Sequence, residues 1–153
     1  MTTSYRTRIF LGGSRSINDF PIIVEAMLRL EMQDKAQFLI GDAEGADLAL
    51  QTYLAEWQYQ HVLVYAMRGK PRNNVGNWQV VSVLPTFGAP SREFYTAKDK
   101  LMARDANWGI MLYDGKSRGT LANIETLAKL SKKCYVFQLM NNGDYWAFKE
   151  GLD

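Results

Sequence analysis

Cysteine and histidine are nearly missing: the 153 residues hold one of each, Cys134 and His61. A single cysteine forms no disulfide within the chain. A zinc site built from Cys and His needs several such ligands, so neither metal nor cofactor is expected. Cys134 falls in the apolar run Cys134-Tyr135-Val136-Phe137 and reads as a buried small hydrophobe rather than a nucleophile. No stretch approaches the roughly 18 apolar residues of a membrane span. The start, MTTSYRTRIFLGG, has a basic flank without a long apolar core, which is not the pattern of a signal peptide, so a cytoplasmic protein is expected. Strong charge of one sign is missing too. A net charge of +2 is too weak to argue for nucleic acid, and such a partner is not expected on this ground.

What is present is ordinary globular material, 47% hydrophobic and 22% charged, at a length that suggests one domain over residues 1–153. Short apolar runs at Arg8–Leu11, Phe38–Ile40, Val62–Tyr65, Val80–Leu84, Ile110–Tyr113 and Tyr135–Phe137 are continuous rather than alternating. Strands covered on both faces of a parallel sheet have that character. Between them lie helical patterns. Asp19 and Pro21 precede Ile22, Ile23, Ala26, Met27 and Leu30, which share one helical face. Ala46, Ala49, Leu50, Tyr53, Leu54 and Trp57 form a second stripe, and Ser91–Asp105 a third helix with Phe94, Leu101 and Met102 inward. Leu121, Ile124, Leu127, Ala128 and Leu130 form the fourth. The alternation implies a doubly wound α/β fold with a mostly parallel sheet of about six strands.

Residues 66–79, AMRGKPRNNVGNWQ, are polar and too long for a tight connection. They read either as a solvated loop or as a flap carrying Arg68, Lys70 and Arg72. The tail, with Tyr145, Trp146 and Phe148, reads as a last strand or helix, or as part of a subunit contact.

Ligands of open α/β sheets sit beyond the carboxyl ends of the strands. Three loops there carry anion-binding chemistry. In Gly12-Gly13-Ser14-Arg15, glycines admit close approach, Ser14 can donate, and Arg15 can clamp a phosphate. In Gly41-Asp42-Ala43-Glu44-Gly45-Ala46-Asp47, a helix begins near Gly45, and Asp47 is either its first-turn cap or a sugar-hydroxyl ligand. The third is Asp114-Gly115-Lys116-Ser117-Arg118-Gly119-Thr120. A P-loop needs a glycine five residues before its Gly-Lys pair, where this chain has Ile110. The dinucleotide pattern GxGxxG fails as well, since Ser14 follows the glycine pair. What remains is a strand, a loop and a helix starting near Thr120, whose free amides can hold an anion with help from Lys116 and Arg118.

The order of these loops, with Arg92 and Lys98-Asp99 on the intervening helix, resembles the SLOG superfamily. It includes the cytokinin-activating LOG proteins, the DNA-processing protein DprA and small stand-alone members. The resemblance spans about residues 8–138 and is strongest to the stand-alone group, through Tyr95–Ala103, Trp108-Gly109 and the stretch 114–120. It implies a Rossmann-like sheet that binds a nucleotide or a nucleotide-derived ligand. The residues carried over are Gly12, Ser14 and Arg15; Gly41, Gly45, Ala46 and Asp47; Arg92 and Lys98; and Gly115, Ser117, Gly119 and Thr120. LOG enzymes cleave the N-glycosidic bond of nucleoside monophosphates, with a glutamate three residues after the loop threonine. Here that position is Asn123, and Glu125 lies two residues further on. A hydrolase on this chain would take its base from Asp47 or Glu44, with Asn123 positioning ribose or water. The resemblance leaves two readings, a nucleotide-sensing module and a nucleotide N-glycosidase. A homo-oligomer is expected by analogy, with Trp57, Tyr59, Trp146 and Phe148 read either as contact residues or as core.

Overall fold

The computed structural model describes residues 6–84 and 91–151, with side chains in the second span from residue 96 onward. Phe94 and Arg92 therefore have described backbone only. The chain forms β1 (Arg8–Gly13), α1 (Ile22–Gln33), β2 (Gln37–Ile40), α2 (Ala46–Glu56), β3 (Val62–Met67), β4 (Gln79–Val83), α3 (Ser91–Asp105), β5 (Trp108–Tyr113), α4 (Arg118–Lys129), β6 (Cys134–Met140) and β7 (Tyr145–Glu150). One seven-stranded sheet runs in the order β4-β3-β2-β1-β5-β6-β7. Every pairing is parallel except β6 with β7. The expected doubly wound α/β architecture is present, with seven strands instead of six. The extra one is the tail: Phe148 stacks on Tyr135 at 6.0 Å and packs at a tilt against Phe137 at 5.1 Å, so it docks against β6.

Alternate residues of each strand feed opposite faces. Ile9, Leu11, Phe38, Ile40, Val64 and Ile110 meet Val24 and Leu28 of α1 and Leu50 and Leu54 of α2. Phe10, Leu39, Tyr65, Met111 and Val136 meet Met102 and Ala103 of α3 and Ile124 and Leu127 of α4. The expected inward face of α1 is corrected. Ile22, Ile23 and Leu30 are 77%, 53% and 60% exposed, and Val24 and Leu28 face the sheet instead. The helix is apolar most of the way round, so periodicity alone does not select the side that packs. Leu130 lies past the end of α4 and is exposed.

β3 and β4 are parallel but joined without a helix, by residues 68–78. Side chains hold this crossover: the Trp78 indole donates to the Tyr59 carbonyl at 2.7 Å, and Asn74 bonds the Trp78 backbone in both directions at 2.9 Å. Among the described residues, no helix is long and apolar enough to cross a membrane.

The strand order reverses between β1 and β5, which opens a crevice at their carboxyl ends. Gly13 makes that closeness possible. A Cβ there would lie 2.4 Å from the Leu112 carbonyl oxygen and 2.8 Å from the Ala46 Cβ. Gly45 has φ +79, and a Cβ would strike the Arg15 carbonyl, so α2 starts against the β1 loop only with glycine at this position. Gly13→Ala is expected to destabilise the fold by about 3 kcal/mol, the upper part of the usual overpacking cost, measured by urea denaturation.

Candidate functional site

The loops after β1 and β5 are stitched together by hydroxyls. Ser14, fully buried, lies with its Oγ 3.2 Å from the Thr120 Oγ1 and accepts from the Asp114 amide at 3.1 Å. Thr120 Oγ1 in turn donates to Ser117 Oγ at 3.2 Å, and Ser117 caps α4. Asp114 closes its own loop: Oδ1 accepts the Lys116 and Ser117 amides at 2.8 Å each, and Oδ2 accepts from Ser16 at 2.7 Å. Burial works against ionisation of Asp114, but these hydrogen bonds outweigh it and hold its carboxyl below the usual range. The first-turn amides of α4 left uncommitted among the described residues are those of Arg118 and Gly119. Gly115 provides the loop's positive φ of +81.

The crevice deepens into a cavity of about 380 Å³. It is lined by apolar Phe10 and Met102, by Arg15, Asp47, Arg72, Lys98, Asp99 and Asn123, and by Gly12, Gly13, Ser117, Gly119 and Thr120 of the two loops and the first turn of α4. A cleft of about 400 Å³ between the 18–20 loop and α2 is as large, but it is edged by Asp19, Glu25 and Glu56 with no cation among its lining residues. That cleft does not suit an anion.

Asp42 organises the charges of the main cavity. It is 3% exposed at the end of β2. Its carboxylate accepts from Lys98 Nζ at 2.8 Å, from the Arg72 guanidinium at 2.7 Å and from the Arg72 amide at 2.9 Å. Burial alone would raise its pKa, but the two cations hold it well below the usual carboxylate range. Asn73 adds a bond to the Asp42 carbonyl at 3.0 Å. Gln51, fully buried on α2, donates to the Gly41 and Asn73 carbonyls and accepts the Val75 amide. The 68–78 segment is thus pinned to the site through Arg72; Arg68 and Lys70 do not line the cavity.

Asp47 has a different environment. Its Oδ2 accepts from the Ala43 amide at 3.1 Å, and it lies against Gly41, where a Cβ would come within 2.5 Å of it. Burial pushes its carboxyl up to about 7, despite Lys98 nearby. Burial likewise raises Asp99 to about 6, against the pull of Lys98 and a hydrogen bond from Asn123. The structure therefore brings Asp47, Lys98 and Asn123 to one cavity. Glu44 stands apart from its lining, two-thirds exposed and paired with Arg15 at 3.1 Å. Such an exposed pair contributes little to stability, which leaves Arg15 available to an anion. Lys116 is exposed outside the cavity lining.

Sequence reasoning named Asp99 only as part of the motif on the helix, not as a site residue, and did not single out Gln51. Both had a signal. Lys98, Asp99 and Met102 share one face of α3, and Gln51 interrupts an inward stripe of α2 with a polar group that burial obliges to find partners.

The sequence matches no known protein-family model and no curated protein. Among solved structures the chain is similar to DNA processing protein A from Helicobacter pylori, a single-stranded DNA binder. The fold is shared. The TM-score is 0.65 at 15% identity, over 92% of this chain and 68% of that one. The likeness supports the Rossmann-like architecture expected from the loops. It also corrects the expectation that nucleic acid is no partner. A protein of this fold binds single-stranded DNA, so a small net charge gives no ground for exclusion. The physical reason is that cations act locally: Arg15, Arg72 and Lys98 gather at one cavity, whatever the total.

Asp47 and Asp99 hold a proton more tightly in the fold than in an unfolded chain, whose carboxylates titrate near 3.8. Their contribution to stability is full below that value and is lost as pH rises through about 6 for Asp99 and about 7 for Asp47. Asp42 and Asp114 have the opposite sign, and their contribution is lost on acidification. Between about pH 5 and about pH 7, wild-type stability is expected to fall relative to Asp47→Asn by up to about 1.4 kcal/mol per pH unit, read from urea midpoints.

Proposed function

We propose that the cavity between β1 and β5 binds the phosphate-bearing part of a nucleotide, and that the protein is a nucleotide-binding module. The observation that carries this reading is the placement of Arg15, Lys98 and the first turn of α4 around one cavity at the point where the strand order reverses. Backbone amides and the helix dipole favour an anion there. The polar wall of Asp47, Asp99 and Asn123 offers acceptors and an amide to sugar hydroxyls, and Phe10 with Met102 offers an apolar surface to a base. The nucleotide is either free or part of a single strand, because the Helicobacter pylori protein of the same fold binds single-stranded DNA.

One observation supports a second reading, an N-glycosidase. Two carboxyl groups, Asp47 and Asp99, line the same cavity with burial-raised affinities for a proton. A carboxyl group near neutrality can deliver a proton to a departing base, and a carboxylate can support positive charge at the sugar. In this reading Asp47 is the acid and Asn123 orients the ribose or the attacking water.

A thermal-shift series with nucleoside monophosphates and a short single-stranded oligonucleotide tests the binding reading. A rise in melting temperature with at least one of them is expected, and no rise with any removes it. Arg15→Ala, at an exposed position, is expected to keep the fold and weaken binding by about 1.5–3 kcal/mol, measured by calorimetry. Free base found by chromatography, and lost in Asp47→Asn, would establish the enzyme.

A further inference from the structure

Beside the main cavity lies a second groove of about 230 Å³ between α3 and α4. Its lining is Thr96, Asp99 and Lys100 from α3, and Gly119, Ala122, Asn123 and Thr126 from α4. The two spaces share Asp99, Gly119 and Asn123. They are therefore neighbours, and Gly119 stands between them, where an added Cβ would meet nothing within 4 Å. The four α4 positions recur at helical spacing, so the groove follows the helix away from its N-terminus. The main cavity alone is near the lower limit for small-molecule sites, about 300–1,000 Å³.

The chemistry changes from one space to the other. The main cavity carries Arg15, Arg72, Lys98 and two carboxyl groups; the outer groove is mostly apolar, with Lys100 exposed at its side. Between them the Gly119 amide stands in the first turn of α4, where negative charge is favoured. A ligand that matches this order has a polar nucleoside half inside, a phosphate link at Gly119 and a flat ring outside.

We propose that the outer groove is a second subsite and that the protein prefers two nucleosides joined through phosphate over a mononucleotide. The proposal rests on the nucleotide-binding reading above and deepens it. The same chemistry is presented by a dinucleotide linked through a 5′–5′ pyrophosphate and by two successive residues linked 3′–5′. Ala122 is exposed, and a tryptophan there would fill the groove without entering the core. Thr126 stands one turn further along.

The experiment is calorimetric titration of wild type, Ala122→Trp and Thr126→Trp with AMP, the 3′–5′ dinucleotide pApA and a pyrophosphate-linked diadenosine. At least one dinucleotide is expected to bind wild type about tenfold or more tighter than AMP, and whichever does identifies the linkage. Both tryptophan variants are expected to lose that advantage while AMP binds as before. The second variant keeps the test open if the first does not fold. Equal affinity for AMP and both dinucleotides, or an advantage that survives in a folded tryptophan variant, overturns the second subsite alone. No binding of any of the three overturns the nucleotide reading and the subsite with it.

Discussion

The buried carboxylate of Asp42 sets the order of the site. A charge removed from water at the end of β2 is tolerated only with partners, and two cations supply them. Lys98 comes from α3, on one face of the sheet, and Arg72 from the helix-free crossover after β3. That single requirement brings two distant segments to the mouth of the cavity. It also explains the neighbouring Asp47. With the Lys98 ammonium bonded to Asp42, Asp47 keeps the Ala43 amide, and burial favours its protonated form. Two aspartates five residues apart thus have affinities for a proton shifted in opposite directions, one lowered by cations and one raised by desolvation.

The stretch YDGKSRGT looks in sequence like a loop shaped around a phosphate. In the fold, much of that polarity is turned inward. Asp114 takes the amides of Lys116 and Ser117, and the hydroxyls of Ser117, Thr120 and Ser14 bond to one another. What stays open toward a ligand is the first turn of α4 together with Arg15 from the opposite loop. The loop is therefore rigid before anything binds, and little ordering cost would oppose binding.

The six parallel strands, four helices and three carboxyl-edge loops were legible because each rests on local pattern: continuous apolar runs, helical spacing and glycines at turns. The inward face of α1 was not legible, because Ile22, Ile23, Val24, Leu28 and Leu30 surround the helix and only packing into the core on that side of the sheet selects Val24 and Leu28. The tail was readable as a strand, a helix or a contact segment, and the choice of strand was not legible, since β7 exists through its antiparallel register on β6. In the site, the glycines, Ser14, Arg15 and Asp47 stood out by their place in or beside the loops, and Lys98 through the family resemblance. Asp99 and Gln51 did not, because a polar residue inside a helix looks solvated until the opposite surface is known.

The amino-acid sequence by itself determined the alternation of elements, and with it the sheet edge that carries the candidate site, because strand and helix periodicity are encoded by near neighbours. Tertiary structure alone decided which cation pairs with which carboxylate, that Glu44 faces water while burial raises the proton affinity of Asp47, and that α3 and α4 leave a groove between them. Those outcomes depend on distances between residues tens of positions apart and on the exclusion of water, and neither is a property of any local stretch of chain.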